Sequence, residues 1–104
     1  MAKTVIRKQT EVLVDMPLLA RIEKLAASAG ITIYTVLPTR GGSSEQGRWF
    51  DDRVTGGAGT KVLFSALSSK AKSDALIEAL EPLLETYGII VTRSDVEVIR
   101  SDKF

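Results

Sequence analysis

The chain has 104 residues, 44 % of them hydrophobic and 26 % charged, with 14 basic against 13 acidic side chains and a formal charge of +1. That is the composition of one ordinary globular domain, able to bury about two thirds of the surface its unfolded form exposes, and it excludes disorder, fibre architectures and a global basic bias toward nucleic acid. The absence of both Cys and His excludes disulfides, soft-metal sites and every mechanism centred on a thiolate or an imidazole.

Residues Met1 to Gln9 are polar and basic apart from Val5 and Ile6, which predicts a loosely held arm. They lack the apolar core of a secretory signal, and no apolar run approaches the roughly 18 residues of a membrane helix. A cytoplasmic location is expected. Thr10 to Asp15 alternates as a short first strand, with Val12 and Val14 on one side and Glu11, Leu13 and Asp15 on the other. Asp15 is placed to cap a helix that Pro17 can open. Leu18, Ile22, Leu25 and Ala29 then recur at helical spacing for about three turns until Gly30.

Ile31 to Leu37 is rich in β-branched and aromatic residues, with Ile31, Ile33 and Leu37 alternating against Tyr34 and Val36, and Pro38 ends it. Beyond a long irregular stretch, Lys61 to Leu67 sets Val62, Phe64 and Ala66 opposite Leu63 and Leu67. Ser68 or Ser69 can cap a second helix with the stripe Leu76, Ala79, Leu80, Leu83 and Tyr87, and with Asp74, Glu78, Glu81 and Glu85 outside. Pro82 predicts a kink or a break there, and Gly88 closes the helix. The last strand is Val96 to Arg100, with Val96 and Val98 against Glu97 and Ile99.

The order β-α-β-β-α-β predicts an α+β, ferredoxin-like domain over residues 1–104: a four-stranded antiparallel sheet with both helices on one face and a flexible loop over about 39–59. The helices are expected to cover Val12, Val14, Ile31, Ile33, Val62, Phe64, Val96 and Val98. Leu13, Tyr34, Val36, Leu63, Leu67 and Ile99 would then form an unshielded apolar face, the mark of an oligomer built through the sheet.

The loop from Pro38 to Gly59 is much longer than the 4–6 residues of an ordinary connection and holds six of the eight glycines and six charged side chains. Thr55 to Lys61 resembles a phosphate-cradling loop only superficially, because Thr60 separates Gly59 from Lys61 and a strand follows where a helix is needed. What survives is glycine-rich backbone beside Arg40, Arg48, Arg53 and Lys61, which can make an anion nest or simply a flexible loop. Asp51 and Asp52 are the best candidates for Mg²⁺ or Ca²⁺, but without regular ligand spacing they read as solvated acids beside Arg48 and Arg53, and no metal site is assigned. Trp49 and Phe50 are expected to anchor a protein partner. Charge in the loop sums to zero, which suits nucleic acid poorly, and carboxylates on a mobile loop are not held for catalysis, so no catalytic residue is assigned. Arg100, at a strand end, can reach an anion between subunits or stay solvated beside Asp102.

Gly30-Ile31-Thr32-Ile33-Tyr34-Thr35-Val36-Leu37-Pro38 running into Gly41-Gly42, then Val54-Thr55 ahead of Lys61-Val62-Leu63-Phe64, and finally Val96-Glu97-Val98-Ile99-Arg100, resemble the PII signalling superfamily. The resemblance covers about residues 10 to 100 and is strongest to the PII-like branch associated with carboxysomes and bicarbonate transport. It implies a non-enzymatic homotrimer with sheets facing inward and adenine nucleotide in clefts between subunits. The long loop would be the T-loop, which docks onto a target such as a bicarbonate transporter or a carboxysome-related protein. Carried over by position, backbone around Thr35, Val36, Leu37 and Pro38, and around Val62, Leu63 and Phe64, would hold adenine. Arg40, Gly41 and Gly42, with Arg100 of the neighbouring subunit, would meet phosphate, and Lys61 belongs to the same set. Bicarbonate is implied as a second anion, assigned to Gly41, Gly59, Arg48 and Arg53.

Two departures from the family pattern matter. The only tyrosines are Tyr34 and Tyr87, so the loop lacks the modifiable tyrosine of classical members. Gly88 to Asp95 also contains neither a lysine nor a second glycine to grip distal phosphates, with only Arg93 to substitute, so ADP or AMP is expected over ATP and no cofactor is expected to be tightly bound. Two other readings stay open: a small Mg²⁺-dependent nucleotide hydrolase using Asp51 and Asp52, and an RNA-binding sheet, for which Tyr34 stands without an aromatic-and-basic cluster.

Overall fold

The computed structural model describes residues 3–50 and 60–99. Six strands and two helices follow in the order β1 Thr4–Asp15, a 3₁₀ turn Met16–Leu18, α1 Leu19–Ser28, β2 Ile33–Pro38, β3 Gly41–Ser44, β4 Gly47–Phe50, β5 Lys61–Ser68, α2 Lys70–Tyr87 and β6 Ile90–Ile99. β2, β5, β1 and β6 form one antiparallel sheet in that order, and β3 with β4 forms a separate hairpin. The chain is therefore the expected ferredoxin-like α+β fold, with a hairpin inserted between its second and third core strands.

The first and last strands are longer than the alternation predicts. Thr4 to Gln9, read as a loose arm, pair with β6 from Thr4 against Ile99 to Gln9 against Ser94, and β6 begins at Ile90 instead of Val96. The polar residues that hid this are satisfied by partners distant in sequence. Lys8 meets Asp95 across the strand pair at 2.5 Å, and Arg93 donates to Asp74 on α2 at 2.6 Å.

The core lies between the helices and one sheet face. Val12, Phe64, Ala66, Ile22, Ala26, Leu76 and Leu80 are fully buried there, with Val14, Val62, Ile31, Leu83 and Ile89 nearly so. Burying side chains of this size stabilises by about 1.5–3 kcal/mol each. Thr10 also enters this layer, and its hydroxyl and that of Ser73 satisfy each other at 2.7 Å, so the polar pair costs little.

Register corrects the assignment of faces. Val36 lies opposite Phe64 and Tyr34 opposite Ala66, so both face the helices. The Tyr34 ring packs 4.7 Å from that of Phe64, and its hydroxyl donates to Glu23 of α1 at 2.6 Å. Ile33 and Leu37 take the open face with Leu67 and Leu63. Val96 and Val98, paired with Arg7 and Val5, also fall on the open side, while Ile99 falls with Thr4 on the other. The cause is that Ile31 precedes β2 across a non-strand residue, so its parity does not carry into the strand. In a run as uniformly apolar as Ile33–Leu37, only pairing decides which side is buried.

The helix signals are clearer. Ser69 caps α2, its hydroxyl accepting from the Lys72 amide at 3.4 Å, and Gly88 ends the helix with a left-handed φ of 61°. Pro82 does not break α2, which runs unbroken through it. Glu78 and Pro82 are both exposed, so water can take the carbonyl that loses its donor.

Candidate ligand site at the loop base

β2 ends where Pro38 pairs with Val62, and Thr39 continues the contact. Its amide and hydroxyl both donate to the Lys61 carbonyl, at 3.3 and 2.6 Å. The same hydroxyl accepts from the Trp49 indole N–H at 3.0 Å. The Lys61 ammonium lies 5.5 Å over the Trp49 ring and donates to Asp15 at 2.7 Å, with the residue only 8 % exposed. A lysine shielded to this degree is held by its carboxylate and by the ring face together.

This anchoring explains the glycines at the loop base. Gly41 and Gly42 pair with Phe50 and Trp49 in the hairpin ladder. A Cβ on Gly42 would stand 2.4 Å from the Trp49 ring, and one on Gly41 would stand 2.6 Å from the Trp49 carbonyl oxygen. Both positions must therefore be glycine for the ring and the neighbouring strand to approach. Glu45 and Gln46 make the two-residue turn. The Gln46 side chain lies over Gly88, so that the hairpin tip and the end of α2 bound a groove of about 580 Å³.

The expected adenine-facing segments lie side by side, Val36 against Phe64, Leu37 against Leu63 and Pro38 against Val62. Their roles differ. β5 is an inner strand paired on both sides, and Val62 and Phe64 are buried in the core, whereas β2 is a sheet edge along which Thr35, Leu37, Pro38 and then Arg40 are exposed. Arg93, the expected substitute for a phosphate-gripping lysine, is committed to Asp74 and also lies 3.4 Å from the Ser73 hydroxyl. Trp49 is turned onto its own protein, while Phe50 is 64 % exposed beneath the Arg48 guanidinium, 5.3 Å from its ring. Gly59, Asp51, Asp52, Arg53 and Arg100 lie outside the described residues, among which no cluster of metal-ligating side chains occurs.

Three residues of this site escape the sequence reading. Asp15, expected to cap a helix, makes no such bond and pairs with Lys61. Thr39 and Gln46 carry no signal until the hairpin is seen, although Glu45-Gln46-Gly47 between short polar runs is a turn pattern.

Comparison places these features in a family. The chain matches the model for Nitrogen regulatory protein P-II over residues 7–103, and no curated protein matches it. In structure it is similar to CPII, a nitrogen regulatory PII-like protein from Thiomonas intermedia K12. Against CPII solved with ADP, AMP and bicarbonate the TM-score is 0.90 at 20 % identity, covering 98 % of this chain and 96 % of that one. Against CPII solved with ADP and bicarbonate it is 0.87 at 20 %, covering 98 % and 97 %. Against the apo form it is 0.77 at 19 %, covering 96 % and 99 %. Proteins of the P-II family are non-enzymatic signalling regulators that form trimers binding adenine nucleotides. By its match across residues 7–103, this chain belongs to that family.

Proposed function

We propose that the chain works as a homotrimeric PII-like sensor in inorganic-carbon metabolism. It holds ADP or AMP in preference to ATP in clefts between subunits, takes bicarbonate as a second anion, and signals through the β3–β4 loop. What supports this most is family membership joined to a likeness, over nearly the whole chain, to CPII solved with those ligands. The edge of β2 offers open backbone for an adenine ring, beside the exposed Leu37 and Arg40. Arg40, Gly41 and Gly42, with Arg100 of the neighbouring subunit, meet the phosphates, and Gly41, Gly59, Arg48 and Arg53 take bicarbonate.

Preference for the shorter nucleotides rests on Gly88 to Asp95, where Arg93 is the single cation and is bound to Asp74. The protein target, a bicarbonate transporter or a carboxysome-related protein, meets the exposed Phe50 at a cytoplasmic or carboxysome-associated location. Because Gly41 and Gly42 are tied into the hairpin with Trp49 and Phe50, ligand at the loop base competes with hairpin pairing and so changes the loop's shape. A melting-temperature screen with ADP, AMP and ATP, with and without bicarbonate, tests the reading, since ligands specific to the folded state raise apparent stability. Larger shifts for ADP and AMP than for ATP support it, and no shift with any adenylate overturns it.

A further inference from the structure

The open sheet face carries few charges, and their arrangement is self-complementary. Pairing register places Val5, Arg7, Gln9, Glu11, Leu13 and Asp15 of β1 on that side, with Leu63 and Leu67 of β5, Ile33 and Leu37 of β2, and Ile90, Val96 and Val98 of β6. Asp15 and Lys61 neutralise each other at 2.7 Å, and Gln9 donates to Ser65 at 3.1 Å. Two charged side chains of opposite sign remain. Arg7 donates through Nη1 to the carbonyl of its own neighbour Ile6, while its Nε is buried without an acceptor. Glu11 has no ion-pair or hydrogen-bond partner among the described residues. Four residues apart on one strand, roughly 13 Å from each other, they do not pair within the chain, where Arg7 turns instead to the Ile6 carbonyl.

We propose that Arg7 of one subunit pairs with Glu11 of the next, so that a ring of three such pairs fixes the register of the trimer. This rests on the trimeric reading above and specifies its interface. With residue 7 of each copy turned to one neighbour and residue 11 to the other, the contact is heterologous, and a rotation of one third of a turn repeats it as a closed ring. The surrounding leucines and valines supply the burial, which is indifferent to small slips. A guanidinium Nε buried without an acceptor is costly, and a carboxylate met at only one register makes that register the favoured one.

A charge-swap cycle tests the pairing. Arg7→Glu, Glu11→Arg and the Arg7→Glu/Glu11→Arg double variant are compared with the parent chain by light scattering across a dilution series, with circular dichroism as the fold check. Each single variant is expected to dissociate at a concentration at least tenfold higher than the parent, and the double variant to regain most of that loss. Single variants as trimeric as the parent, or a double variant no better than the worse single one, overturn the pairing while leaving the trimer intact. A parent chain that is itself monomeric overturns the trimeric reading, and with it the pair. If a charge reversal abolishes the fold, the same cycle is run with Arg7→Gln and Glu11→Gln. Non-additive losses there support the pair and additive ones overturn it.

Discussion

The Trp49 indole N–H and the Lys61 carbonyl are joined through one hydroxyl, that of Thr39, which accepts the first at 3.0 Å and donates to the second at 2.6 Å. With the Lys61 ammonium over the same ring, the start of β5 and the loop hairpin form one unit. A ligand that moves the backbone after β2 must therefore disturb Trp49.

Trp49 is the only tryptophan, so this coupling can be read directly. Replacing Thr39 by Val removes the hydroxyl that links ring to strand. The expected outcome is a red-shifted Trp49 emission and faster amide exchange in β3 and β4, with global stability lowered by no more than about 1 kcal/mol because the hairpin lies outside the core. Unchanged emission and exchange would show that the linkage does not hold the hairpin.

Gly42→Ala acts on the same unit by steric means. The added methyl would stand 2.4 Å from the Trp49 ring, so the ring must leave its seat over Lys61. The variant is expected to reproduce the red shift of Thr39→Val while the sheet, followed by far-ultraviolet circular dichroism, stays intact.

The buried pair Thr10 and Ser73 gives a non-additive prediction. Ser73→Ala strands the Thr10 hydroxyl in the core and is expected to cost about 1–3 kcal/mol, whereas Thr10→Val with Ser73→Ala removes both partners and recovers much of that loss. Arg93, 3.4 Å from the Ser73 hydroxyl, keeps Asp74 in every variant. Urea titration of the two single variants and the double one measures the coupling.

Asp74 is expected to contribute to the loss of stability in acid. Hydrogen bonds from Lys70 first and Arg93 second hold its carboxyl below the ordinary 3.8. A carboxyl whose folded value is depressed adds stability that is complete above its unfolded value and is lost as pH falls through the folded one. Melting temperature is thus expected to fall below about pH 4 more steeply in the parent chain than in Asp74→Asn, and parallel curves would remove Asp74 as a cause.

How much of this was legible in the sequence follows from where each signal resides. Helix ends are local: Ser69, Gly30 and Gly88 mark them by side-chain capping and by φ values open to glycine, and the sequence places them correctly. The faces of β2 are not local, because Ile33, Tyr34, Val36 and Leu37 are all apolar and only the pairing of Val36 with Phe64 decides which side is buried. The extra length of β1 and β6 was masked for a related reason: Lys8, Arg93 and Asp95 look like loop residues until their partners are known. At the loop base the glycines stand out in the sequence, but the close approach that requires them does not. Gly41 and Gly42 admit the neighbouring strand and the Trp49 ring, a contact that no spacing rule contains.

Native mass spectrometry of the chain, titrated separately with ADP and with ATP, counts subunits and bound nucleotides together. The expected result is a trimer that fills stepwise to one ADP per subunit at concentrations where ATP occupancy is still low. A monomer, or a trimer that remains empty with both nucleotides, would contradict it.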